Sequence, residues 1–311
     1  MIALEELLRD ATAGDPIQGT KWTRKTVKKI ARALEKAGYH IKGDTTRRLM
    51  RKLKYRLRVN RKRLIRKRNP DRDRQMRYLV RQRQIFVKAG KPVIRIDSKK
   101  RELVGNFKNK GRSWRKTRKD VLENDFPSDA EGVAIPYGIY DVARNHGFVV
   151  VGTSHQTSAF AVKAIRRWWL TVGRYQYPKH NELLIEADCG GANASNCGLW
   201  KWELQQFANE FNLIITVTHL PTGASKWNPI EHRLFSQISA NWEGEPLADY
   251  ETVMNFIRTT KTEAGLRCRV FLDNAIYKTG LKISKEQVKQ IHLESHRVLP
   301  KWNYTIMPQS K

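Results

Sequence analysis

The order of apolar segments between residues 91 and 311 is the feature that most constrains the fold. PVIRID alternates in polarity and ends at Asp97. AIPYGIYDVA and FVVVGTS follow as two strand-like runs, and they join at residues 144–147, where Asn and Gly tolerate positive φ, which predicts a hairpin. ELLIEAD is a near-continuous apolar run ending at Asp188, as is typical of a buried parallel strand, and LIITVTHL is a fifth strand.

Helices are predicted between the later strands. Apolar side chains recur at helical spacing in residues 158–172 and 199–211, and a further helix starts at NPIEHRLFSQI. Right-handed crossovers would lay the fourth and fifth strands parallel to the first. The order therefore predicts an α/β fold with a ribonuclease H-like mixed five-stranded sheet and flanking helices.

Charge divides the chain into two modules. The 60 Lys and Arg against 30 Asp and Glu give a net charge of +30, which implies a polyanionic partner and favours nucleic acid. Residues 1–90 hold 28 basic and 8 acidic side chains (net +20), whereas residues 91–311 hold 32 and 22 (net +10). We place the boundary near Gly90 and predict that residues 1–90 form an all-α DNA-binding module before the catalytic domain, 91–311.

The basic module contains a candidate helix-turn-helix. Thr23 is predicted to cap a helix that ends at Gly38, and Asp44 to cap a second helix with Leu49 and Leu53 facing inward. The second helix of such a motif enters the major groove. A plain helical hairpin with a solvated basic face is the alternative. The outward side chains that would contact DNA are Thr45, Arg47, Arg48, Arg51 and Lys52.

A dense basic run follows this motif. RLRVNRKRLIRKR, residues 56–68, has eight basic residues and no acid, and it would repel itself unless phosphates neutralise it. We predict an arm that binds nucleic acid, followed by a connector helix beginning at Asn69 and Pro70. The side chains expected to contact phosphates are Arg61, Lys62, Arg63, Arg66, Lys67 and Arg68.

Three acids occupy places that the predicted topology brings together. The ends of the first and fourth strands, at Asp97 and Asp188, would lie side by side, and Glu231 on the helix after the fifth strand could approach them. Two divalent ions about 3.5 to 4 Å apart can activate a nucleophile and stabilise a leaving oxyanion on a phosphodiester. Mg²⁺ or Mn²⁺, two ions per site, would suit carboxylate ligands.

Each acid also has a structural explanation. Asp97 could end a strand, Asp188 could form a turn with the glycines after it, and Glu231 could close a capping box with Asn228 as the cap. Asp141 and Asp273 also follow strands and compete for membership of a triad. Only the joint placement of the three acids favours a catalytic role.

Other side chains give weaker signals. Lys99, Lys100 and Lys226 flank the acids and could hold DNA phosphates, with solvated surface lysines as the alternative. A zinc site from Cys189, Cys197, His219 and His232 is conceivable, but its spacing matches no paired pattern. Three cysteines without such a pattern favour a reducing cytoplasm, and no apolar run is long enough for a membrane span.

The sequence resembles a known family over about residues 4–308. IDSKKRELVGNFKNKGRSW, AIPYGIYDVARNHG, TSHQTSAFAVKAIRRWW, LLIEADCGGANA and TGASKWNPIEHRLFSQISANW are similar to segments of the Rhodopirellula-type DDE transposases of bacterial insertion sequences, the ISAzo group. The resemblance implies that Asp97, Asp188 and Glu231 are the catalytic triad. One departure is the Gly-rich turn CGGANA, where the family tends to have a third Gly and a Ser.

The resemblance gives two hypotheses on function. The first is a transposase that binds terminal inverted repeats as double-stranded DNA, cuts to leave a 3′-hydroxyl and joins it to target DNA, as a homodimer or higher oligomer near the bacterial nucleoid. The second is a DNA-binding protein or repressor without catalysis, because family members usually carry more sequence upstream and the copy would then be shortened.

Overall fold

A computed structural model describes residues 1–9, 12–14, 21–23, 25–58, 69–224 and 227–309. The chain forms two compact units, residues 1–64 and residues 65–311. Several basic residues that the sequence predicts as DNA contacts lie outside the described residues: Arg61, Lys62, Arg63, Arg66, Lys67, Arg68 and Lys226.

The first unit is mainly helical. Its elements are α1 (Ile2–Arg9), β1 (Thr12–Gly14), β2 (Lys21–Thr23), α2 (Val27–Lys36) and α3 (Gly43–Lys52). Strands β1 and β2 pair antiparallel. Leu4 and Leu8 of α1 are buried against Ile30 and Leu34 of α2, and Leu49 of α3 packs against this cluster. The two helices predicted around a Gly-containing turn are therefore present.

The caps of these helices differ from the prediction. Thr26, not Thr23, caps α2, since its hydroxyl accepts a hydrogen bond from the backbone N–H of Lys29 at 3.2 Å. Helix α3 starts one residue before Asp44, which pairs with Arg47 at 2.8 Å instead of capping. A cap needs extended backbone just before the first turn, and several Thr and Asp residues near a helix start make the choice ambiguous in sequence.

The second unit is a mixed α/β domain. Its α-helices are α4 (Arg72–Lys88), α5 (Ser158–Trp168), α6 (Arg174–Gln176), α7 (Gly198–Phe211), α8 (Ser236–Asn241), α9 (Tyr250–Thr259) and α10 (Lys285–Lys289). Its strands are β3 (Val93–Ser98), β4 (Glu102–Val104), β5 (Gly132–Asp141), β6 (His146–Gly152), β7 (Glu182–Ala187), β8 (Ile214–His219), β9 (Arg267–Asp273), β10 (Leu293–Ser295) and β11 (Asn303–Ile306). Two π-helical turns cover Trp169–Gly173 and Glu231–Phe235.

The sheet has the predicted strands at its centre. The order is β10-β11-β8-β7-β3-β5-β6-β9, and β4 pairs with β5 off this path. The five predicted strands are β3, β5, β6, β7 and β8, and the last two run parallel to β3 as expected. The ribonuclease H-like fold is confirmed. Strands that the sequence analysis did not anticipate extend it: β9 on one edge, β11 and β10 on the other, and β4 beside β5.

Helices cover both faces of this sheet. Helices α5 and α7 pack over one face, where Ile94 and Ile96 of β3 join the main core. The other face packs against α4, the π-helical turn that starts at Glu231, and α8 and α9. The predicted connector helix α4 is thus part of the second compact unit, because Phe86 is buried against Val93 of β3 and Leu184 of β7. No helix in the described ranges is both long and apolar enough to cross a membrane.

Candidate active site

The parallel register of β3 and β7 places two charged pairs in succession. Arg95 lies beside Glu186, and Ile96 lies beside Ala187. The next residues along the two chains are Asp97 and Asp188. Since side chains alternate between the faces of a sheet, both pairs project toward the same face. A pair of opposite charges is therefore followed by a pair of like charges.

The first pair, Arg95 and Glu186, belongs to a salt-bridge cluster with Arg83. Glu186 is buried and accepts hydrogen bonds from Arg95 Nε at 2.6 Å and from Arg83 Nε of α4 at 2.8 Å. Burial lowers the pKa of Arg95, and the Glu186 carboxylate opposes that effect. This cluster joins α4 to the two central strands of the sheet.

Asp97 is held by two neutral donors. Its Oδ1 accepts the backbone N–H of Ser98 at 2.7 Å, and its Oδ2 accepts the amide Nδ2 of Asn228 at 2.6 Å. Burial raises the pKa of Asp97 to about 8, and the negative charges of Asp188 and Glu231 add to this effect. Asn228, expected as a helix cap, thus uses its side chain to hold an acid.

Asp188 is held at both its carboxylate and its backbone. Asn193 donates to its Oδ1 at 3.4 Å, and the Tyr137 hydroxyl donates to Asn193 Oδ1 at 2.7 Å. Burial raises the pKa of Asp188. The backbone carbonyl of Asp188 lies 2.8 Å from Nδ1 of His219. A carbonyl can only accept, so Nδ1 of His219 carries the proton.

His219 is part of a buried chain of hydrogen bonds. Nε2 of His219 lies 3.1 Å from the Tyr304 hydroxyl, which accepts the indole N–H of Trp200 at 2.9 Å. Burial lowers the pKa of His219 to about 4, so the ring is neutral at pH 7. Both ring nitrogens are occupied, which removes His219 from the zinc site considered for Cys189 and Cys197.

Glu231 lies on a π-helical turn, close enough to the acid pair for its charge to act on Asp97. Its charge contributes to the raised pKa of Asp97, although its own side chain is exposed. Two glycines let this turn pack close to the sheet: a Cβ at Gly138 would lie 2.6 Å from Phe235, and one at Gly147 would lie 2.5 Å from Leu234. Gly138 is the register partner of Asp97, so the close approach occurs beside the acid.

The acids face an open cleft with basic walls. A cleft of about 730 Å³ is lined by Asp97, Asp188, Lys100 and Arg101, together with Ser154, His155 and Gln156. Lys100 was predicted from the sequence, whereas Arg101 was missed, although the run SKKR directly after Asp97 carries the signal. Oxygen ligands and nearby cations suit a metal ion and a phosphate backbone.

Lys99 differs from its neighbour. It is buried, its ammonium donates to Glu102 at 2.6 Å, and it lies 4.5 Å from the centre of the Trp242 ring. Its charge is therefore already paired inside the protein. The contact with Trp242 joins residues more than 140 positions apart, so the burial of Lys99 could not be predicted from local sequence.

The competing acids have structural partners. Asp141 accepts the Tyr177 hydroxyl at 2.9 Å, and Asp273 accepts the Tyr277 hydroxyl at 2.6 Å. Within the described ranges, no three Asp, Glu, His or Cys side chains are arranged around a single point as ligands of one metal ion. Asp97 and Asp188 carry the required donor chemistry, and Glu231 would have to turn toward them.

The predicted DNA contacts of the first unit lie on α3. Arg47, Arg48, Arg51 and Lys52 are exposed, and Thr45 is half-buried. Arg47 is partly engaged by its ion pair with Asp44. The basic face of α3 is therefore accessible, and its contact with DNA stays a prediction.

The strand order and the position of the two aspartates define the class of this domain. It is a ribonuclease H-like domain with a pair of acids at the ends of two adjacent parallel strands, β3 and β7. The sequence matches the family described as Rhodopirellula transposase DDE domain over residues 3–308. The chain belongs to this family, and with it to the DDE transposases.

Solved structures match this chain at low identity. The Mos1 transposase paired-end complex with left transposon end has 12% identity and a TM-score of 0.43, covering 82% of this chain and 69% of that chain. The mariner Mos1 paired end complex with Mn has 15% identity and a TM-score of 0.41, covering 83% and 69%. A pre-cleavage Mos1 transpososome has 14% identity and a TM-score of 0.43, covering 82% and 68%. The comparison with curated proteins gives no match.

Proposed function

We propose that the protein cuts the ends of an insertion sequence and joins them to target DNA with two divalent ions, Mg²⁺ or Mn²⁺, held by Asp97, Asp188 and Glu231. The observation that carries this proposal is the pair of half-buried aspartates in adjacent parallel strands, with neutral hydrogen-bond donors and no cationic side chain paired to either in the described ranges. Like charges directly beside each other in a sheet are destabilising, so the pair calls for a cation from outside.

The protein's own side chains prepare the acids for that cation. Asn228 fixes Asp97 and Asn193 fixes Asp188, the two aspartates that would hold the ions. His219 fixes the backbone of Asp188. Glu231, whose side chain is exposed, would turn toward the two aspartates to complete the set. When bound, two such ions activate the attacking water or 3′-hydroxyl and stabilise the departing oxyanion.

The substrate in this proposal is double-stranded DNA at two stages, the terminal inverted repeats and then the target. Lys100 and Arg101 in the cleft would hold phosphates near the scissile bond. Lys226 and the Arg-rich arm would add phosphate contacts, and α3 would read the repeat. Because two transposon ends must be joined together, we propose that a homodimer or larger assembly acts on the DNA, in the bacterial cytoplasm near the nucleoid.

A cleavage assay on DNA carrying the inverted repeats that flank the gene tests this function. The protein with Mg²⁺ or Mn²⁺ should release a 3′-hydroxyl at the repeat end. Asp188→Asn should reduce the rate at least about a thousandfold, because bound ions supply several kcal/mol of transition-state stabilisation. Asp141→Asn, which alters a buried acid away from the cleft, is the matched control. Equal rates for the protein and Asp188→Asn would rule out the mechanism.

The same cleavage assay distinguishes this function from the second hypothesis, a DNA-binding repressor without catalysis. That protein would bind the repeats in a salt-dependent way without a divalent ion and would leave both strands intact.

A further inference from the structure

A long basic loop leaves the sheet between β4 and β5. We define the basic loop as residues 105–120, GNFKNKGRSWRKTRKD. It contains seven Lys and Arg residues, and its first acid is Asp120 at its end. The loop follows β4, which is the next strand in the chain after the Asp97 strand, β3. Such a density of like charge is unfavourable without a polyanion to neutralise it.

The loop is fixed by the segment that follows α8. The backbone N–H of Gly244 donates to the Lys110 carbonyl at 2.7 Å, and Asn109 donates to the Trp242 carbonyl at 3.0 Å. Glu245 accepts from Lys119 at 2.8 Å and also pairs with Arg115. The Lys119 ammonium holds the pKa of Glu245 below its usual range. The loop therefore presents its remaining side chains from an anchored backbone.

The basic loop carries a fully exposed indole, that of Trp114. Trp114 has a relative exposure of 105%, greater than that of the other large apolar side chains in the described ranges. Five cations of the same loop form no salt bridge in the part of the chain that the structure describes: Lys108, Lys110, Arg112, Lys116 and Arg118. An exposed aromatic ring among unpaired cations is the arrangement that proteins use to bind single-stranded nucleic acid.

A basic path connects the loop to the acids. Lys100 and Arg101 line the cleft that contains Asp97, and they also line a second groove of about 560 Å³ that includes Lys108 and Asn109 of the basic loop. The groove is also lined by two acids, Asp125 and Glu102, and Glu102 is paired with Lys99. A strand leaving the cleft along this groove would pass Lys100, Arg101 and Lys108 on its way to the loop.

We infer that the basic loop holds the unpaired part of the DNA strand, with Trp114 stacked on an unpaired base and the loop cations on the flanking phosphates. Paired bases in a duplex are already stacked on their neighbours, so an exposed indole gains most from a base that has lost its partner. A protein partner is disfavoured because the residues that flank Trp114 in the sequence, Arg112, Ser113, Arg115 and Lys116, are charged or polar. This inference rests on the proposed function, since strand cleavage is what supplies the unpaired segment.

Fluorescence anisotropy with the full-length protein and labelled DNA in a chelator tests the inference without cleavage. The probes are a blunt duplex and the same duplex with a 3′ single-stranded tail. We expect Trp114→Ala to weaken binding to the tailed probe by roughly fivefold or more and to leave blunt-duplex binding unchanged, whereas Trp114→Phe keeps the tail preference. Equal binding of the tailed probe by the protein and Trp114→Ala would overturn the inference.

A charge variant provides the matched control. Lys116→Ala removes one phosphate contact next to Trp114, so it should weaken binding to the tailed probe and reduce its salt slope by about one. A salt slope that stays unchanged would contradict phosphate binding by the loop. Asp188→Asn should keep the tail preference while losing cleavage, so failure of the loop inference and failure of the proposed catalysis give different results.

Discussion

Two neighbouring pairs of residues on the same sheet face have opposite electrostatic character. Arg95 and Glu186 attract each other, and Glu186 also pairs with Arg83, so the carboxylate is satisfied within the protein. Asp97 and Asp188, next along the same two strands, repel each other and are held by asparagine amides. Both pairs lie on the same two strands and the same face of the sheet, so their position in the fold does not explain the difference. The difference is what supports the proposal that the second pair binds a cation from outside the chain.

The largest expected effect comes from breaking the first pair. Glu186→Gln would leave two guanidinium groups, Arg95 almost fully buried and Arg83 partly so, without a counter-charge. We expect the free energy of unfolding to fall by roughly 3 to 5 kcal/mol in urea denaturation. Glu182→Gln is the control on the same strand, because Glu182 pairs with Lys91 nearer to solvent and its loss should cost under about 1 kcal/mol. Equal costs for the two variants would contradict the comparison.

A smaller effect concerns the pH dependence of the second pair. In the folded, metal-free protein the pKa of Asp97 is about 8, against about 3.9 in an unfolded chain. Between these values the folded state binds a proton that the unfolded state has released, so this contribution to stability is lost as pH rises. Relative to Asp97→Asn, the protein should lose roughly 2 kcal/mol of unfolding free energy between pH 6 and 8. Parallel pH profiles in chelator would refute this.

The smallest effect is stabilisation by the ion itself. At a free Mg²⁺ or Mn²⁺ concentration tenfold above its Kd, the unfolding free energy should rise by about 1.4 kcal/mol, which is a few degrees in Tm. Calorimetry should detect this rise in the protein and in Glu182→Gln, and should not detect it in Asp188→Asn. A rise of the same size in Asp188→Asn would place the ion elsewhere.

The sequence was sufficient for the centre of the fold because its signals are local. Alternating and continuous apolar runs identified the five central strands, and the order of strands and helices implied that β7 and β8 run parallel to β3. The placement of Asp97 and Asp188 at the ends of adjacent strands follows from that order. The family match is consistent with the same motifs, while the catalytic roles remain proposals.

The sequence was not sufficient for the groups that hold the acids. Asn228 reaches Asp97 across 131 residues, and the contact between Asn193 and Asp188 depends on the conformation of a Gly-rich turn. The burial of Lys99 depends on Trp242, far along the chain. Such contacts are set by tertiary packing, and neither periodicity nor residue type reports them. The predicted caps of α2 and α3 were wrong for a related reason. Several hydroxyl and carboxylate side chains lie within a few residues of each helix start, and the sequence does not show which of them caps the helix.

The bare backbone at Gly138 and Gly147 has a consequence for how this enzyme could be tuned. These two positions set the depth at which the turn carrying Glu231 settles, so a single added methyl group on a strand would lift a carboxylate on a different element. The distance between the Glu231 carboxylate and the two aspartates can therefore be changed by substitutions at uncharged positions of the sheet. Under the proposed function, substitution at these two positions would change how the site holds its ions while Asp97, Asp188 and Glu231 stay in the sequence.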